Sequence, residues 1–242
     1  MNDTIPDRKD GAPWRNFYGR RHGKTLRASQ VKLLEERLPE LAPKGVAWDE
    51  NPERSTIDFT AMVPGARAAW LEIGFGGGEH LIAMGKANPD ISLTGCEPFI
   101  NGVAMCLTAH EKAEVSNIRI HAGDAREIFD VAKDGAFERI FINYPDPWPK
   151  TRHHKRRFVN PDNLVHLARI TAPGGRLHIS TDIPDYVRSS LEGLANRPEF
   201  EWIAETPTDW RTPWADWPST RYEQKALREG RTPHYLTFIR KS

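Results

Sequence analysis

The apolar positions of this chain follow two alternating patterns. Short runs at Ala69–Ile73, Ser92–Cys96, Ile118–His121, Arg139–Asn143 and Arg176–Thr181 have the length and content of buried strands. Between them, apolar residues recur at helical spacing over Glu79–Ala87 (Leu81, Ile82, Met84), Ile100–Ala113, Ala125–Ala132 and Pro161–Thr171. Ile183–Asn196 reads as a further helix, and Tyr235–Arg240 as a last strand lying antiparallel beside the fifth. Such alternation predicts an α/β fold with a doubly wound, mostly parallel sheet. It begins near residue 66. Upstream, Pro39, Pro43, Pro52, Pro64 and Gly65 mark loop, and Val31, Leu34 and Leu38 behind a capping Ser29 predict a helix over 29–38. The chain therefore divides into a basic N-terminal arm and helix, 1–65, and a main domain, 66–242.

Composition narrows the class. The chain has 242 residues, 38% hydrophobic and 28% charged, which describes a soluble globular protein. No apolar run approaches the roughly 20 residues of a membrane span, and the opening MNDTIPDRKDG carries no apolar signal segment. Cys96 and Cys106 make neither a disulfide framework nor a metal site, so a cytoplasmic protein with reduced thiols is expected. Net charge is only +1, yet residues 1–37 hold nine Lys/Arg against five acids. Phosphate binding depends on such local patches. Within this stretch Asn16–Lys24 mixes rings with cations, and reads either as a disordered tail or as an arm that orders on RNA.

The first strand runs into Gly74-Phe75-Gly76-Gly77-Gly78, the turn that opens a nucleotide-binding sheet. A dinucleotide fingerprint would need glycine at 79, where this chain has Glu79. A pyrophosphate on that helix N-terminus would meet a carboxylate, although Glu79 also suits the helix dipole alone. Glu72 precedes the loop, Glu97 ends the second strand and Asp124 follows the third. Four acids repel a phosphate-bearing cofactor and suit one with a positive centre, such as S-adenosylmethionine. Glu97, 19 residues past Gly78, stands where such folds hold the ribose diol. Asp124 is placed for the adenine amino group, Glu72 for the methionine end, and Gly74 and Gly76 for close backbone approach.

The fourth strand breaks at Asn143-Tyr144-Pro145-Asp146-Pro147-Trp148-Pro149. Three prolines in five residues make a stiff loop that can hold one carboxylate, Asp146, and one ring, Trp148. A cation run follows: Lys150, Arg152, His153, His154, Lys155, Arg156 and Arg157. A fixed acid, an aromatic and a basic rail suggest chemistry on a nucleic-acid base. Trp148 reads either as a stacking platform or as packing under the loop. Further on, Trp202, Trp210, Trp214 and Trp217 fall within sixteen residues, broken by prolines. Most of these rings are expected to be packing for a substrate-facing segment, 202–223.

The strings LEIGFGGGEHL (71–81), GCEP (95–98), HAGDA (121–125), YPDPWPKTRHHKRR (144–157), STD (180–182) and TRYE (220–223) resemble the bacterial tRNA (guanine-N7-)-methyltransferases. The resemblance implies a Rossmann-like, S-adenosylmethionine-dependent methyltransferase, with a seven-stranded sheet, that modifies N7 of the guanosine at position 46 in the tRNA variable loop. It implies cofactor contact by Glu72, Glu97, Asp124 and Asp146, with Asp146 catalytic. It implies substrate contact by Lys150, Asp182 and Thr220-Arg221-Tyr222-Glu223, and tRNA contact along Arg152–Arg157. Asn143 departs from the family pattern, standing where an apolar residue is expected. A monomer or homodimer without metal or membrane is expected. Asp146 reads either as the holder of guanine or as a partner of the cofactor. Two other readings compete. Asn143-Tyr144-Pro145 is similar to the loop of exocyclic-amine methyltransferases, but Tyr144 interrupts it. A non-catalytic tRNA-binding module would have no use for Glu97 and Asp124.

Overall fold

The computed structural model describes residues 15–242. Calls that fall on residues 1–14, including the cations Arg8 and Lys9, lie outside the described residues. The strands are β1 Ala68–Ile73, β2 Ile91–Cys96, β3 Ile118–His121, β4 Phe137–Asn143, β5 Thr171–Thr181, β6 Phe200–Trp202 and β7 His234–Arg240. They form one seven-stranded sheet in the order β3-β2-β1-β4-β5-β7-β6. The first five are parallel, and β7 lies antiparallel between β5 and β6. β1 and β2 are buried almost throughout, as strands covered on both faces must be, which is why they read as continuous apolar runs.

The helices are α1 Ala28–Glu36, α2 Leu38–Leu41, α3 Glu79–Ala87, α4 Ile100–Ala113, α5 Ala125–Val131, α6 Pro161–Ile170, α7 Pro184–Ala195, α8 Thr208–Arg211 and α9 Arg221–Arg228. Alternate strand residues face two cores. Ile140, Ile142, Leu177, Ile179 and Leu236 pack with Ile128, Leu164, Leu167 and Leu194 of α5, α6 and α7. Trp70, Phe141, Leu93 and Ile120 pack with Leu81, Met84, Val103 and Leu107 of α3 and α4. Leu33, Leu34 and Leu38 of α1 and α2 close on this second core. Over β4, β5 and β7 the same face is covered by rings. Trp214 packs edge-on at 4.5 Å from His178 and donates to Thr237 Oγ1 at 2.7 Å. Trp217 lies 5.3 Å from Trp214 and 5.6 Å from Tyr235. Packing is what the sequence suggested for most of these tryptophans. Among the described residues no helix is long and apolar enough to cross a membrane.

Three details differ from the sequence reading. Arg27, not Ser29, caps α1, because the Gln30 side chain accepts from the Arg27 backbone N–H at 3.1 Å and fixes the helix start two residues earlier. β5 begins at Thr171 rather than Arg176, and its register shifts across the Pro173-Gly174 bulge that hid the strand. β6 has three residues, only the first buried, too few for any alternation to show.

The neighbours β1 and β4 continue in opposite directions across the sheet. Open α/β sheets bind ligands outside the carboxyl ends of strands at such a switch point. The glycine loop after β1 and the proline loop after β4 both end there.

Candidate active site

At the switch point, backbone geometry comes first. Gly78 caps α3 with φ of 83°, and a Cβ there would stand 2.4 Å from Cys106 Sγ, so α4 packs directly on the loop. Gly74, at φ of 75°, has nothing within 4 Å of its Cβ position and leaves open space. Glu97 turns back on the loop: Gly76 N–H donates to one oxygen at 2.8 Å and Phe99 N–H to the other at 2.9 Å. Burial raises the Glu97 pKa, the two N–H donors oppose this, and the charges of Asp146 and Glu72 push it further up.

Glu72 is 1% exposed. One oxygen lies 2.9 Å from His80 Nδ1, and the other accepts from Asn143 Nδ2 at 3.4 Å. Ser180 Oγ in turn donates to Asn143 Oδ1 at 3.1 Å. His80 is wedged between Phe141, at 4.8 Å, and Trp217, at 5.2 Å. Sequence reasoning gave His80 and Ser180 no role of their own, and took Asn143 as a departure from the family pattern and as part of a competing loop motif. The departure is the signal: a buried amide at the end of β4 needs partners, and Glu72 and Ser180 supply them. Asp124 caps α5, accepting from Arg126 N at 2.9 Å and from the Arg126 guanidinium at 2.5 Å. Burial alone would raise its pKa, but Arg126 holds it below the ordinary range.

The proline loop is strained on both sides of Asp146. Tyr144 has φ of 48° and Trp148 of 40°, values rare outside glycine. Tyr144 N–H donates to Ser180 O at 2.8 Å, and Arg157 Nε donates to Pro147 O at 3.0 Å. The Asp146 carboxyl lies at the surface, yet crowding by the loop raises its pKa, with Arg20 opposing.

The basic rail divides. Lys150, Arg152 and Lys155 are exposed. Arg156 lies 5.0 Å from the centroid of the Trp148 ring and 5.0 Å from that of Tyr18, so a cation covers one face of Trp148. His153 meets Trp148 edge-on at 6.0 Å, and His154 Nε2 is 3.2 Å from Asp185. Arg157 corrects the expectation of a phosphate contact. It is 1% exposed and donates to Pro147 O, Asp185 O at 3.1 Å, Ser189 Oγ at 2.7 Å and the Asp185 carboxylate at 2.5 Å. With its donors spent on these groups, it pins the loop.

TRYE also sits differently. Thr220 caps α9, its hydroxyl accepting from Glu223 N at 3.3 Å. Glu223 is 5% exposed and accepts from Trp217 Nε1 at 2.9 Å and from the Tyr235 hydroxyl. The T-x-x-E spacing is a capping-box signature that announces a helix start. Asp182 pairs with Arg231 at 2.6 Å. Tyr222 remains exposed, its ring 6.5 Å from that of Tyr144 and tilted 18° from parallel. The resulting cleft is lined by Glu72, Gly74, His80, Asn143, Tyr144, Thr220 and Tyr222.

Asn16–Lys24 packs against the starts of α4 and α5. Arg126 donates to Asn16 O at 2.9 Å, Ile100 N–H to Arg21 O at 3.0 Å, and Asn101 bridges Gly23 N at 2.7 Å and Lys24 O at 2.6 Å.

This geometry can be set beside known proteins. A family model described as "Putative methyltransferase" matches residues 66–236. The tRNA (guanine-N(7)-)-methyltransferase of Ruegeria sp. (strain TM1040) is 57% identical over 238 residues, covering 98% of this chain and 92% of the relative. That of Jannaschia sp. (strain CCS1) is 52% identical and spans 100% of both chains. Among solved structures, the 16S rRNA methyltransferase KamB aligns with a TM-score of 0.53 at 12% identity, over 78% of this chain and 95% of that one. An antibiotic-related methyltransferase gives 0.52 at 15% identity, over 77% and 96%. These two likenesses speak to the fold, and the closely similar relatives speak to descent: the chain belongs to the tRNA (guanine-N(7)-)-methyltransferase family.

Proposed function

We propose that this protein transfers the methyl group of S-adenosylmethionine to N7 of a guanosine in tRNA, at position 46 of the variable loop. The observation that carries the reading is the placement of Glu72, Glu97 and Asp146 at or just past the carboxyl ends of β1, β2 and β4, around the glycine loop whose Gly76 N–H donates to Glu97, close enough for their like charges to repel. Such mutual repulsion is relieved by a ligand with a positive centre. The residues fit that cofactor. Glu97 takes the ribose diol, Asp124 shares its carboxylate with the adenine amino group, and Glu72, aligned by His80 and Asn143, takes the ammonium. The open space above Gly74 lets the ligand approach the backbone. When bound, the cofactor supplies an electrophilic methyl group on a sulfonium.

The chain's own task is alignment. N7 carries a lone pair and no proton, so no base is needed to free the nucleophile. Holding reactants in line can contribute roughly 7–11 kcal/mol of barrier lowering. Asp146, ionised, accepts from guanine N1–H and the exocyclic amine. As N7 gains the methyl group the purine becomes cationic and N1–H more acidic, so these hydrogen bonds strengthen in the transition state. Lys150, Arg152 and Lys155 are exposed for tRNA phosphates, and the protein works beside its tRNA in the cytoplasm. The test is methyl transfer from labelled S-adenosylmethionine to unmodified tRNA, with nucleoside analysis of the product. 7-Methylguanosine that disappears with Asp146→Ala is expected. Methyl groups on an exocyclic amine would overturn the reading.

A further inference from the structure

The acids at the switch point suit the cationic parts of the cofactor, but its methionyl tail also ends in a carboxylate. Glu72, Glu79 and Glu97 can only repel that group. A cation is needed on the glycine loop, and one stands there. The Arg221 guanidinium carbon and Nη2 each lie 3.1 Å from the Cβ position of Gly77, and Nη2 lies 3.5 Å from that of Gly76. Arg221 Nε is 3.4 Å from Glu79 Oε1, and Nη1 is 3.4 Å from Met105 Sδ. The side chain thus points inward, over the loop and the start of α3.

This placement is built into the fold. Arg221 is the first residue of α9, whose start is fixed by the Thr220 cap. Glu223, two residues on, is locked by Trp217 Nε1 at 2.9 Å and by the Tyr235 hydroxyl. The packed tryptophans therefore set where Arg221 lands. In sequence, Arg221 belongs to the stretch for which the resemblance implied tRNA substrate contact. Its direction argues against that role.

We infer that Arg221 binds the methionyl carboxylate of the cofactor, a role that rests on the methyl-transfer reading above. Its planar fork is suited to a carboxylate, and Glu79 occupies it in the meantime. The contact also joins the two halves of the site. Cofactor held by Arg221 steadies α9, and α9 carries Thr220 and Tyr222 of the cleft beside Tyr144.

The test measures calorimetric affinity for two ligands, S-adenosylhomocysteine and 5′-methylthioadenosine, which keeps the nucleoside and lacks the amino acid. With Arg221→Ala, S-adenosylhomocysteine should bind about 10- to 100-fold more weakly, the loss of one charge-assisted contact. Methylthioadenosine should bind as it does to the parent, which also shows that the variant is folded. Arg221→Lys should fall between. Equal losses for both ligands, or no loss for either, would overturn the inference. So would an unchanged S-adenosylhomocysteine affinity with a tRNA salt slope reduced by about one, the sign of a phosphate contact. If the parent protein binds neither ligand, the methyl-transfer reading itself fails.

Discussion

Replacing Arg157 with alanine separates a residue that pins the proline loop from one that binds tRNA. The side chain is 1% exposed and its ion-pair partner Asp185 is 48% exposed. Removing one partner of a buried pair costs about 3–5 kcal/mol when the other charge is stranded. Asp185 is half in water and is not stranded, so that figure must be reduced. The lost hydrogen bonds to Pro147 O and Ser189 Oγ, and the gap left against Tyr186, act in the other direction. About 2–4 kcal/mol of destabilisation remains. At about 2–4 °C per kcal/mol for a domain of this size, Tm should fall by about 5–15 °C. The turnover number should fall as well, because the Pro147 carbonyl next to Asp146 loses its anchor. The salt dependence of tRNA binding should not change. The assay is calorimetric melting together with tRNA titrations at several salt concentrations. A Tm within about 1 °C of the parent, with a salt slope lower by about one, would refute the reasoning and restore Arg157 to the RNA surface.

Asp146→Asn should lower the single-turnover methylation rate at saturating cofactor by about 10²–10³, as loss of one preorganised transition-state contact does. In the parent enzyme the acid limb of that rate should lie above the ordinary aspartate range, because crowding raises the Asp146 pKa; a limb below about 3.9 would contradict this. Glu97 has a folded-state pKa raised by burial, so its contribution to stability is present below the unfolded value of about 4.3 and is lost as pH rises through the folded value. In that window the Tm of the parent should drop relative to Glu97→Gln, and parallel melting curves would count against it. S-adenosylhomocysteine should bind the parent more tightly over the same pH rise. Asn143→Leu, which installs the apolar residue of the family pattern, should leave Glu72 poorly aligned. It should weaken S-adenosylhomocysteine about 5- to 10-fold, near the net worth of one hydrogen bond, with tRNA affinity intact.

What the sequence made legible was local. A continuous apolar run such as Ile140–Ile142 followed by Pro145-Asp146-Pro147 shows strand, stop and fixed acid within a few residues. The glycine loop shows itself by composition, and Glu79 in its helix excludes pyrophosphate without any knowledge of the third dimension. What stayed hidden was non-local. Arg157 reads as one more cation in a run, because its burial depends on Asp185, 28 residues later. His80 looks like an ordinary helix residue until Phe141 and Trp217 close on it from distant parts of the chain. The Thr220–Glu223 spacing was visible and carried two meanings. A helix cap and a substrate motif have the same letters, and only the folded partners, Glu223 N on the Thr220 hydroxyl and Trp217 and Tyr235 on the Glu223 carboxylate, distinguish them.

The strain in the proline loop explains why so much structure surrounds one exposed carboxylate. Tyr144 and Trp148, two residues either side of Asp146, hold positive φ angles that cost about 1–3 kcal/mol each. Left alone, the loop would relax and Asp146 would move. It is restrained at the first strained residue by the bond from Tyr144 N–H to Ser180 O, in its middle by Arg157 on Pro147 O, and at the second by Arg156 over the Trp148 ring. Two of the three restraints come from the basic run that follows the loop in sequence. The run therefore has two jobs: Arg156 and Arg157 turn inward to hold the acid, while Arg152 and Lys155 face outward. A reaction that needs no base at the nucleophile gains little from a tuned pKa and much from fixed geometry. A strained loop clamped at three points matches that need.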